Sequence, residues 1–205
     1  MSLKWNRVTR FALIFLALVA AAQQRPDGLY ANFNTSMGTI VAKLYERDTP
    51  NTVRNFVALA QGETATRDPK TGKMAKRVLY NNITFHRVVR GEMIQAGDPT
   101  GTGSHDCGVT IPDEFLPGLR FDDGGKLAMA NTGAADSGGC QFFITADSMR
   151  VWNGKYTIFG VVVEGRDVVS KINHAAVRGD RPVDPVKLIN VTIERIGQEP
   201  VKKKR

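Results

Sequence analysis

The sequence feature that most constrains the fold is a succession of short runs of β-branched and aromatic residues, separated by turns that contain Gly or Pro. Five of these runs are residues 83–89, 93–97, 127–130, 142–145 and 157–163. No internal repeat and no Pro/Ser-rich linker divides the chain, so we expect its 205 residues to contain a single folded domain. Short strands at this density predict a mainly β fold.

Two further runs carry stronger local signals. Residues 30–46 consist of two β-rich halves around a turn at residues 36–38, which predicts a β-hairpin. Residues 186–196 alternate in polarity, as a half-buried strand does. The alternation places three apolar side chains on one face: Ile189, Val191 and Ile193.

Two segments are typical of helices. Thr49 can cap the amino end of the first, Pro50 suits its first position, and Gly62 suits its carboxyl end. A second helix is expected at Arg166–Asn173, whereas the polar segment 63–78 is expected to be an exposed loop. Many short strands with two helices fit a closed barrel capped by those helices, because closure hides the strand edges.

The first 22 residues predict a cleavable export signal. Lys4, Arg7 and Arg10 precede the apolar run 11–20, which is too short to span a bilayer comfortably, and small residues at 20–22 offer a cleavage site. The alternatives are a buried N-terminal helix and an uncleaved anchor. We expect cleavage, which gives an exported periplasmic or secreted protein without a stable membrane anchor.

The remaining chain carries a diffuse positive charge. The formal net charge is +8, and the three basic residues of the export signal account for three of these charges. Nucleic-acid binding favours a basic face with interleaved aromatic residues, and the sequence has none, so no nucleic-acid partner is expected. We expect a linker at 23–31, the folded domain at 32–197 and a solvated basic tail at 198–205. No coiled-coil or domain-swap signal occurs, so a monomer is expected.

The sequence lacks the residue patterns that are typical of most kinds of catalytic site. His86, His105 and His174 do not have the spacing of metal ligands, and no dinucleotide or phosphate-loop fingerprint occurs, so neither a metal nor a cofactor is expected. Ser137 lies in "DSGG" but has no identifiable His/Asp partner and no nucleophile elbow. We therefore expect a site that works without a nucleophile.

A group of polar and aromatic residues on the strands and turns remains. Arg87 and Gln95 lie in "FHRVVRGEMIQAGD", at positions that alternation from Phe85 turns toward the interior. The other members of the group are Met93, Asn131, Gln141, Phe143, Trp152 and Tyr156. Each has an ordinary structural explanation when taken alone, such as an ion pair for Arg87 or a core position for Phe143.

Taken together, the motifs resemble those of the cyclophilins, the peptidyl-prolyl cis–trans isomerases. The resemblance covers about residues 32–196 and rests on motifs in the family's order, including "YNNITFHRVVRGEMIQAGDPTGTG", "KLAMANTG", "GGCQFFIT" and "GKYTIFGVVVEGRDVV". It implies an eight-stranded antiparallel barrel closed by two helices. It also implies a bacterial, exported enzyme that accelerates rotation about X–Pro bonds in proline-containing polypeptides.

The resemblance further implies roles for individual residues. Arg87 occupies the position of the catalytic arginine, and Gln95 lies beside it to orient it and contact the substrate. The implied substrate-binding residues are Phe85, Met93, Ala130, Asn131, Thr132, Gln141, Phe143, Trp152 and Tyr156, with Phe143 at the floor of the proline pocket.

Three departures from the family pattern bear on function. Glu92 stands where a pocket phenylalanine is common, Val151 stands where many members carry a tryptophan associated with cyclosporin binding, and the loop before Gln141 is one residue longer than usual. Strong cyclosporin binding is therefore not expected. These departures leave open an alternative, a proline-peptide-binding module of the same fold with little turnover. A structural assembly subunit is a third possibility.

The resemblance also places the two cysteines, Cys107 and Cys140. It puts Cys140 beside the pocket that receives side chains preceding proline, and it puts Cys107 on the far side of that pocket. In an exported protein, a bridge between them could make the pocket mouth rigid. Two unpaired thiols are the alternative.

Overall fold

The structure, a computed structural model, describes residues 25–199. The export signal expected at residues 1–22 and the basic run at 202–205 lie outside the described residues. The described strands are β1 (Gly28–Thr35), β2 (Gly38–Leu44), β3 (Ala65–Arg67), β4 (Met74–Lys76), β5 (Ile83–Thr84), β6 (Arg87–Val89), β7 (Met93–Ala96), β8 (Lys126–Met129), β9 (Phe142–Thr145), β10 (Ile158–Glu164), β11 (Val177–Arg178), β12 (Arg181–Pro182) and β13 (Lys187–Ile196). The helices are α1 (Pro50–Gln61) and α2 (Arg166–Asn173), with a short 3₁₀ turn at Arg150–Trp152.

Nine strands form one antiparallel sheet in the order β5-β13-β1-β2-β10-β8-β9-β7-β6. The sheet curls strongly into a half-barrel. Its two end strands, β5 and β6, are separated in the chain only by Phe85 and His86, so both edges of the sheet lie close to these two residues. The mainly β architecture with two helices is as predicted.

The expectation of a closed, eight-stranded barrel is wrong in two respects. The sheet has nine strands, and no ladder joins β5 to β6 within the described residues. Both differences have one cause, because the single strand predicted at 83–89 is interrupted at Phe85 and His86. The two halves pair with different partners, β5 with β13 and β6 with β7.

The local predictions around this break are confirmed. Strands β1 and β2 form the predicted hairpin, with Thr35 paired to Gly38 across a two-residue loop. Strands β7, β8, β9 and β10 each lie within a residue or so of the predicted runs, and α2 has the predicted bounds. Short apolar runs bounded by Gly and Pro were therefore sufficient to locate most of the sheet.

Helix α1 begins and ends as predicted but is capped differently. It stops at Gly62, which adopts the left-handed conformation with φ +76. Thr49 makes no side-chain capping bond. Instead the carboxylate of Glu114 accepts hydrogen bonds from the backbone N–H groups of Asn51 and Thr52, at 3.1 and 2.9 Å. A negative charge at this end also suits the helix dipole.

The core lies between α1 and the inner face of the sheet. Phe56 of α1 is fully buried, and its ring centroid lies 5.1–5.8 Å from four other aromatic rings. These rings belong to Phe33, Tyr80, Phe142 and Phe159. Close aromatic packing of this kind makes the sheet a rigid support for whatever its outer face carries. Among residues 25–199, neither helix is long and apolar enough to cross a membrane.

Two predictions at the ends of the domain are corrected. Strand β1 begins at Gly28, inside the predicted linker, because Tyr30 and Ala31 are buried and pair with β13. In β13, Ile189 does not share a buried face with Val191 but is 43% exposed. The register between β1 and β13 shifts at this level, and such an irregularity reverses the alternation of side chains.

The segment 63–78, expected to be a loop, contains a small hairpin of β3 and β4. This hairpin packs on the loop that carries Cys107. The backbone N–H of Arg67 donates to the carbonyl of Cys107 at 2.8 Å, and a ring nitrogen of His105 lies 3.0 Å from the carbonyl of Arg67. The hairpin thus supports one wall of the site described next.

Candidate active site

The predicted catalytic residues lie on the outer face of the sheet. Strand register places Arg87, Gln95, Phe143 and Ala128 opposite one another across β6, β7, β9 and β8, and we call them the outer row. Their sequence neighbours form the inner row, which faces the main core: Val88, Ile94, Ile144 and Leu127. Since paired residues share one face of a sheet, the expectation that Arg87 and Gln95 turn inward is wrong.

The break at residues 85 and 86 explains this error. Alternation counted from Phe85 fails there because the backbone leaves the ladder before Arg87. Phe85 is 1% exposed and belongs to the main core, so the structure does not bring it to the site with the other predicted substrate-binding residues.

A second, smaller apolar cluster covers the outer face. It contains Met93, Phe121, Ala128, Phe143 and Ile158, with Trp152 and Tyr156 packed on its solvent side. The Phe143 ring is 3% exposed and meets Trp152 and Tyr156 edge-on, at centroid distances of 5.4 and 5.2 Å. The half-buried rings of Trp152 and Tyr156, with Phe143 and Met93 beneath them, form an apolar cluster suited to contact a small saturated ring.

Phe121 is part of this cluster and was missed by sequence reasoning. It is fully buried and stacks on Phe143 at 6.1 Å, and its backbone N–H is held by the side chain of Asn153. The only signal in the sequence is an aromatic residue in a loop that also carries Phe115, Leu116 and Leu119, and this pattern does not give its location.

Arg87 lies at the edge of the outer row, with about half of its side chain exposed. Its Nε donates to the carboxylate of Asp180 at 3.0 Å, and its Nη1 donates to the Oε1 of Gln95 at 3.4 Å. Asp180 was not among the predicted site residues, since it is 93 positions away in the chain. A half-exposed pair of this kind is weak, so a substrate group can compete for the guanidinium.

A chain of amide hydrogen bonds sets the orientation of Gln95. The carbonyl of Gly103 can only accept, so Gln141 presents its NH₂ group to it, at 3.0 Å. The Oε1 of Gln141 therefore faces Gln95 and accepts from its Nε2 at 2.9 Å. This leaves the Oε1 of Gln95 directed at Arg87. One backbone carbonyl thus decides which atom the guanidinium meets.

Asp98 holds the loop that supplies this carbonyl. Its buried carboxylate accepts hydrogen bonds from the backbone N–H groups of Thr100 and Gly103, both at 2.6 Å, and from the Thr100 hydroxyl at 2.7 Å. Burial alone raises the pKa of this carboxyl, but the hydrogen bonds outweigh it and bring the pKa of Asp98 down to about 2. The loop therefore depends on an ionised Asp98.

A cleft of about 420 Å³ extends from Gln95 of the outer row past the loop held by Asp98, where Gly103, Ser104 and His105 line it. One side is formed by residues 130–132, and Ala130 donates its N–H to the carbonyl of Gln141. The side chain of Asn131 is committed to the protein itself, since its Nδ2 donates to the Lys155 carbonyl at 2.8 Å. Its Oδ1 also accepts from the Gly133 N–H at 3.1 Å. The backbone of this stretch and the exposed side chain of Thr132 are therefore left to contact a bound chain.

Both cysteines line this cleft and form a disulfide in the structure, with Cα atoms 6.5 Å apart. Cys140 precedes β9, and Cys107 lies on the loop supported by the β3–β4 hairpin. The bridge ties the wall of the cleft to the sheet.

Glu92 and Val151, the two single-residue departures from the family pattern, lie at the rim of the site. Glu92 is half-buried in the turn between β6 and β7, whereas Val151 is 68% exposed. The neighbouring Trp152 is the residue that packs on Phe143. The described residues contain no group of three or more His, Cys, Asp or Glu side chains arranged to hold a metal ion.

Comparison with known proteins gives concordant results. Residues 30–193 match the family model described as cyclophilin type peptidyl-prolyl cis-trans isomerase/CLD. The chain is 42% identical over 172 residues to peptidyl-prolyl cis-trans isomerase B of Streptomyces anulatus, covering 82% of this chain and 98% of that protein. It is 44% identical over 168 residues to peptidyl-prolyl cis-trans isomerase A of Mycobacterium tuberculosis, covering 80% and 91%.

A similar solved structure comes from Cryptosporidium parvum. It is a cyclophilin type peptidyl-prolyl cis-trans isomerase crystallised in the presence of the dipeptide Ala-Pro. Its TM-score is 0.70 at 28% identity, and the match covers 82% of this chain and 99% of that one.

Proposed function

The chain belongs to the cyclophilin-type peptidyl-prolyl cis–trans isomerases, and we propose that it uses Arg87 to accelerate X–Pro rotation in exported proteins. The isomerase activity follows from the family match and from relatives that are 42–44% identical over most of the chain. The observation that supports the mechanistic proposal is the outer row, in which the guanidinium of Arg87 lies two strands away from Phe143 and the apolar cluster around it.

The reaction requires no covalent chemistry. An X–Pro amide has a rotation barrier of about 18–20 kcal/mol because rotation breaks amide resonance, and its cis form is only slightly disfavoured. A catalyst therefore needs to favour the twisted amide over both planar forms. Twisting localises the lone pair on the prolyl nitrogen, so a donor directed at that nitrogen stabilises the twisted state selectively.

Arg87 is suited to be this donor. A guanidinium has five N–H donors and keeps its charge at any working pH. Asp180 and Gln95 each accept one of these donors, which leaves three that make no hydrogen bond within residues 25–199. Because the Asp180 contact is half-exposed, a bound substrate can share or replace it at small cost. Lowering the barrier by about 7 kcal/mol corresponds to roughly a 10⁵-fold acceleration.

The remaining site residues bind the substrate. The proline ring packs on Phe143 and Met93, with Trp152 and Tyr156 excluding water from its open side. The backbone of residues 130–132 holds the chain preceding proline in an extended pose along the 420 Å³ cleft, and the proline carbonyl side stays free to turn. The Cryptosporidium parvum structure with Ala-Pro supports proline-containing substrates.

The proposal also includes that the protein is exported and that it is a monomer. The charged, apolar and small-residue order of the first 22 residues supports a cleaved signal, and a Cys107–Cys140 disulfide is compatible with an oxidising compartment. N-terminal sequencing of the exported protein should find a chain that starts at Gln23. A mature protein that retains Met1, or an exported dimer in sedimentation, contradicts this part of the proposal.

Exchange NMR on the mature chain tests the activity itself. With an Ala-Pro-containing peptide, we expect catalytic amounts of the protein to produce cis–trans exchange cross-peaks that are absent without it. Tight binding of the peptide without such cross-peaks would instead identify a binding module with little turnover.

A further inference from the structure

A second cleft lies on the other side of Gln95 and has a different chemistry. Its volume is about 460 Å³, and we call it the arginine cleft. It is lined by His86, Arg87, Gln95, Thr102, Gly103, Ser104, Arg178, Asp180 and Arg181. It shares Gln95, Gly103 and Ser104 with the 420 Å³ cleft, so a chain bound at the outer row passes its mouth.

Two of its arginines have no function in the mechanism above. Arg178 and Arg181 are directly paired across the short β11–β12 hairpin, and both are exposed. Like charges opposite each other in a hairpin destabilise it. Neither arginine forms an ion pair with any residue in the described part of the chain, and the Asp180 between them is paired with Arg87. The hairpin thus carries positive charge that the protein does not neutralise.

The cleft as a whole is therefore strongly cationic. Three arginines face one aspartate, which leaves a net charge of +2. His86 adds no charge, since it is buried and burial lowers the pKa of its ring below the ordinary value. The cleft also presents Thr102 and Ser104, which are both exposed and whose hydroxyl groups lie 3.1 Å from each other. The Thr102 hydroxyl donates to Asp98 at 3.2 Å, so Ser104 is the residue whose hydroxyl can donate to a ligand. Guanidinium groups together with a hydroxyl group form a suitable binding site for carboxylate or phosphate oxygens.

We propose that the arginine cleft is a substrate subsite for an anionic side chain close to the isomerised proline. This proposal rests on the proposed isomerase function, because Arg87 and Gln95 border both clefts. The anionic group is the carboxylate of Asp or Glu, or the phosphate of a phosphorylated Ser or Thr. Arg178 and Arg181 bind it, and the three N–H donors of Arg87 that make no hydrogen bond within residues 25–199 serve the prolyl amide.

The test compares peptides that differ at one residue. Each peptide contains one Ala-Pro bond. It carries Gln, Glu or phosphoserine either at the position immediately before the Ala-Pro pair or at the position immediately after it. For wild type we expect kcat/KM to be about fivefold higher with an anionic residue than with Gln at one of these positions, which is near the upper end of what one exposed ion pair contributes. In about 1 M NaCl, where the Debye length is about 3 Å, the preference should disappear.

The variant Arg178→Gln/Arg181→Gln identifies the residues responsible. It should reduce the anionic-to-Gln ratio of kcat/KM to about one, on the same scale of ion-pair energies. Arg54→Gln is the matched control, because Arg54 is an exposed arginine on α1 that does not line the arginine cleft. Arg54→Gln should keep the wild-type ratio.

The outcomes separate this proposal from the function on which it rests. Turnover of all peptides at equal rates overturns the subsite and leaves the isomerase function intact. A preference that survives in the double variant overturns the assignment to Arg178 and Arg181. Turnover of no peptide at all contradicts the proposed function itself. A preference for phosphoserine alone, or for both anions, supports the subsite and identifies the group it accepts.

Discussion

The two faces of the sheet are built from neighbouring residues of the same four strands, yet they differ in what holds them in place. The inner row is at most 1% exposed and is fixed by packing within the main core. The outer row begins with a half-exposed arginine and ends in a small apolar cluster. Its order depends on loops, through Asp98, Gly103 and the disulfide.

Along each of these strands, a residue that contributes to stability is therefore the direct neighbour of a residue that contributes to the chemistry. A change in the inner row should act mainly on the free energy of unfolding, whereas a change in the outer row should act mainly on turnover. The predictions for Ile94, Gln95 and Arg87 test this division directly, and those for the disulfide and Asp98 measure how much stability the loops beside the outer row contribute.

The largest effect is expected in the inner row. Ile94→Ala removes a fully buried side chain from the main core, and we expect the free energy of unfolding to fall by about 2–5 kcal/mol. Urea unfolding followed by circular dichroism measures it. At low temperature, where the variant is still folded, its isomerase activity should stay close to wild type. A loss below about 1 kcal/mol would mean that the inner row is not tightly packed.

The disulfide is expected to contribute almost as much. It closes a loop with a sequence separation of 33, for which loop-closure entropy predicts about 3–4 kcal/mol. Cys107→Ser/Cys140→Ser should lose this stability, and adding reductant to wild type should give the same loss. Two titratable thiols in denatured, non-reduced protein would show that the bridge does not form.

The contribution of Asp98 should be visible as a dependence on pH. The pKa of the Asp98 carboxyl is about 2 in the folded protein, whereas an unperturbed aspartate has a pKa of 3.8. Folding therefore favours the ionised form of Asp98. The stabilisation, about 2 kcal/mol, is present above about pH 4 and disappears as the pH falls to about 2. Asp98→Asn should be less stable than wild type at pH 7.

Unfolding curves of both proteins between pH 7 and pH 2 provide the check. The difference in the free energy of unfolding between wild type and Asp98→Asn should become smaller as the pH falls. A gap that stays constant would show that the Asp98 carboxylate does not titrate as its hydrogen bonds require.

The smallest effect is expected for the orientation of Arg87. Gln95→Leu removes the acceptor at Nη1 and the donor to Gln141, so the guanidinium loses its alignment. We expect kcat/KM to fall about tenfold, or ~1.4 kcal/mol, with the free energy of unfolding changed by less than about 1 kcal/mol. Ile94→Val, one residue away, is the matched control and should show about 0.5–1.5 kcal/mol of lost stability with unchanged turnover.

The same division describes what the sequence could predict. The β1–β2 hairpin, the bounds of α2 and the end of α1 at Gly62 follow from local patterns, and all of them are confirmed. The structure also brings the predicted site residues other than Phe85 near one another, and their roles stay a prediction. What failed depends on contacts between distant segments.

Three errors illustrate this limit. The cap of α1 comes from Glu114, 62 and 63 positions away from the groups it caps. The Arg87 guanidinium contacts Asp180, and the break at residues 85–86 reverses which face Arg87 occupies. Alternation within one strand cannot reveal a change of pairing partner, so the sequence located the residues but assigned them to the wrong side of the sheet.

The kinetics of Arg87→Ala test the central claim most directly. With a neutral X–Pro peptide in a protease-free isomerisation assay, kcat/KM should fall by at least about tenfold, or ~1.4 kcal/mol of barrier, while circular dichroism and the free energy of unfolding stay close to wild type. Unchanged turnover by a folded Arg87→Ala variant would contradict the account, because it would show that the guanidinium is only a partner for Asp180.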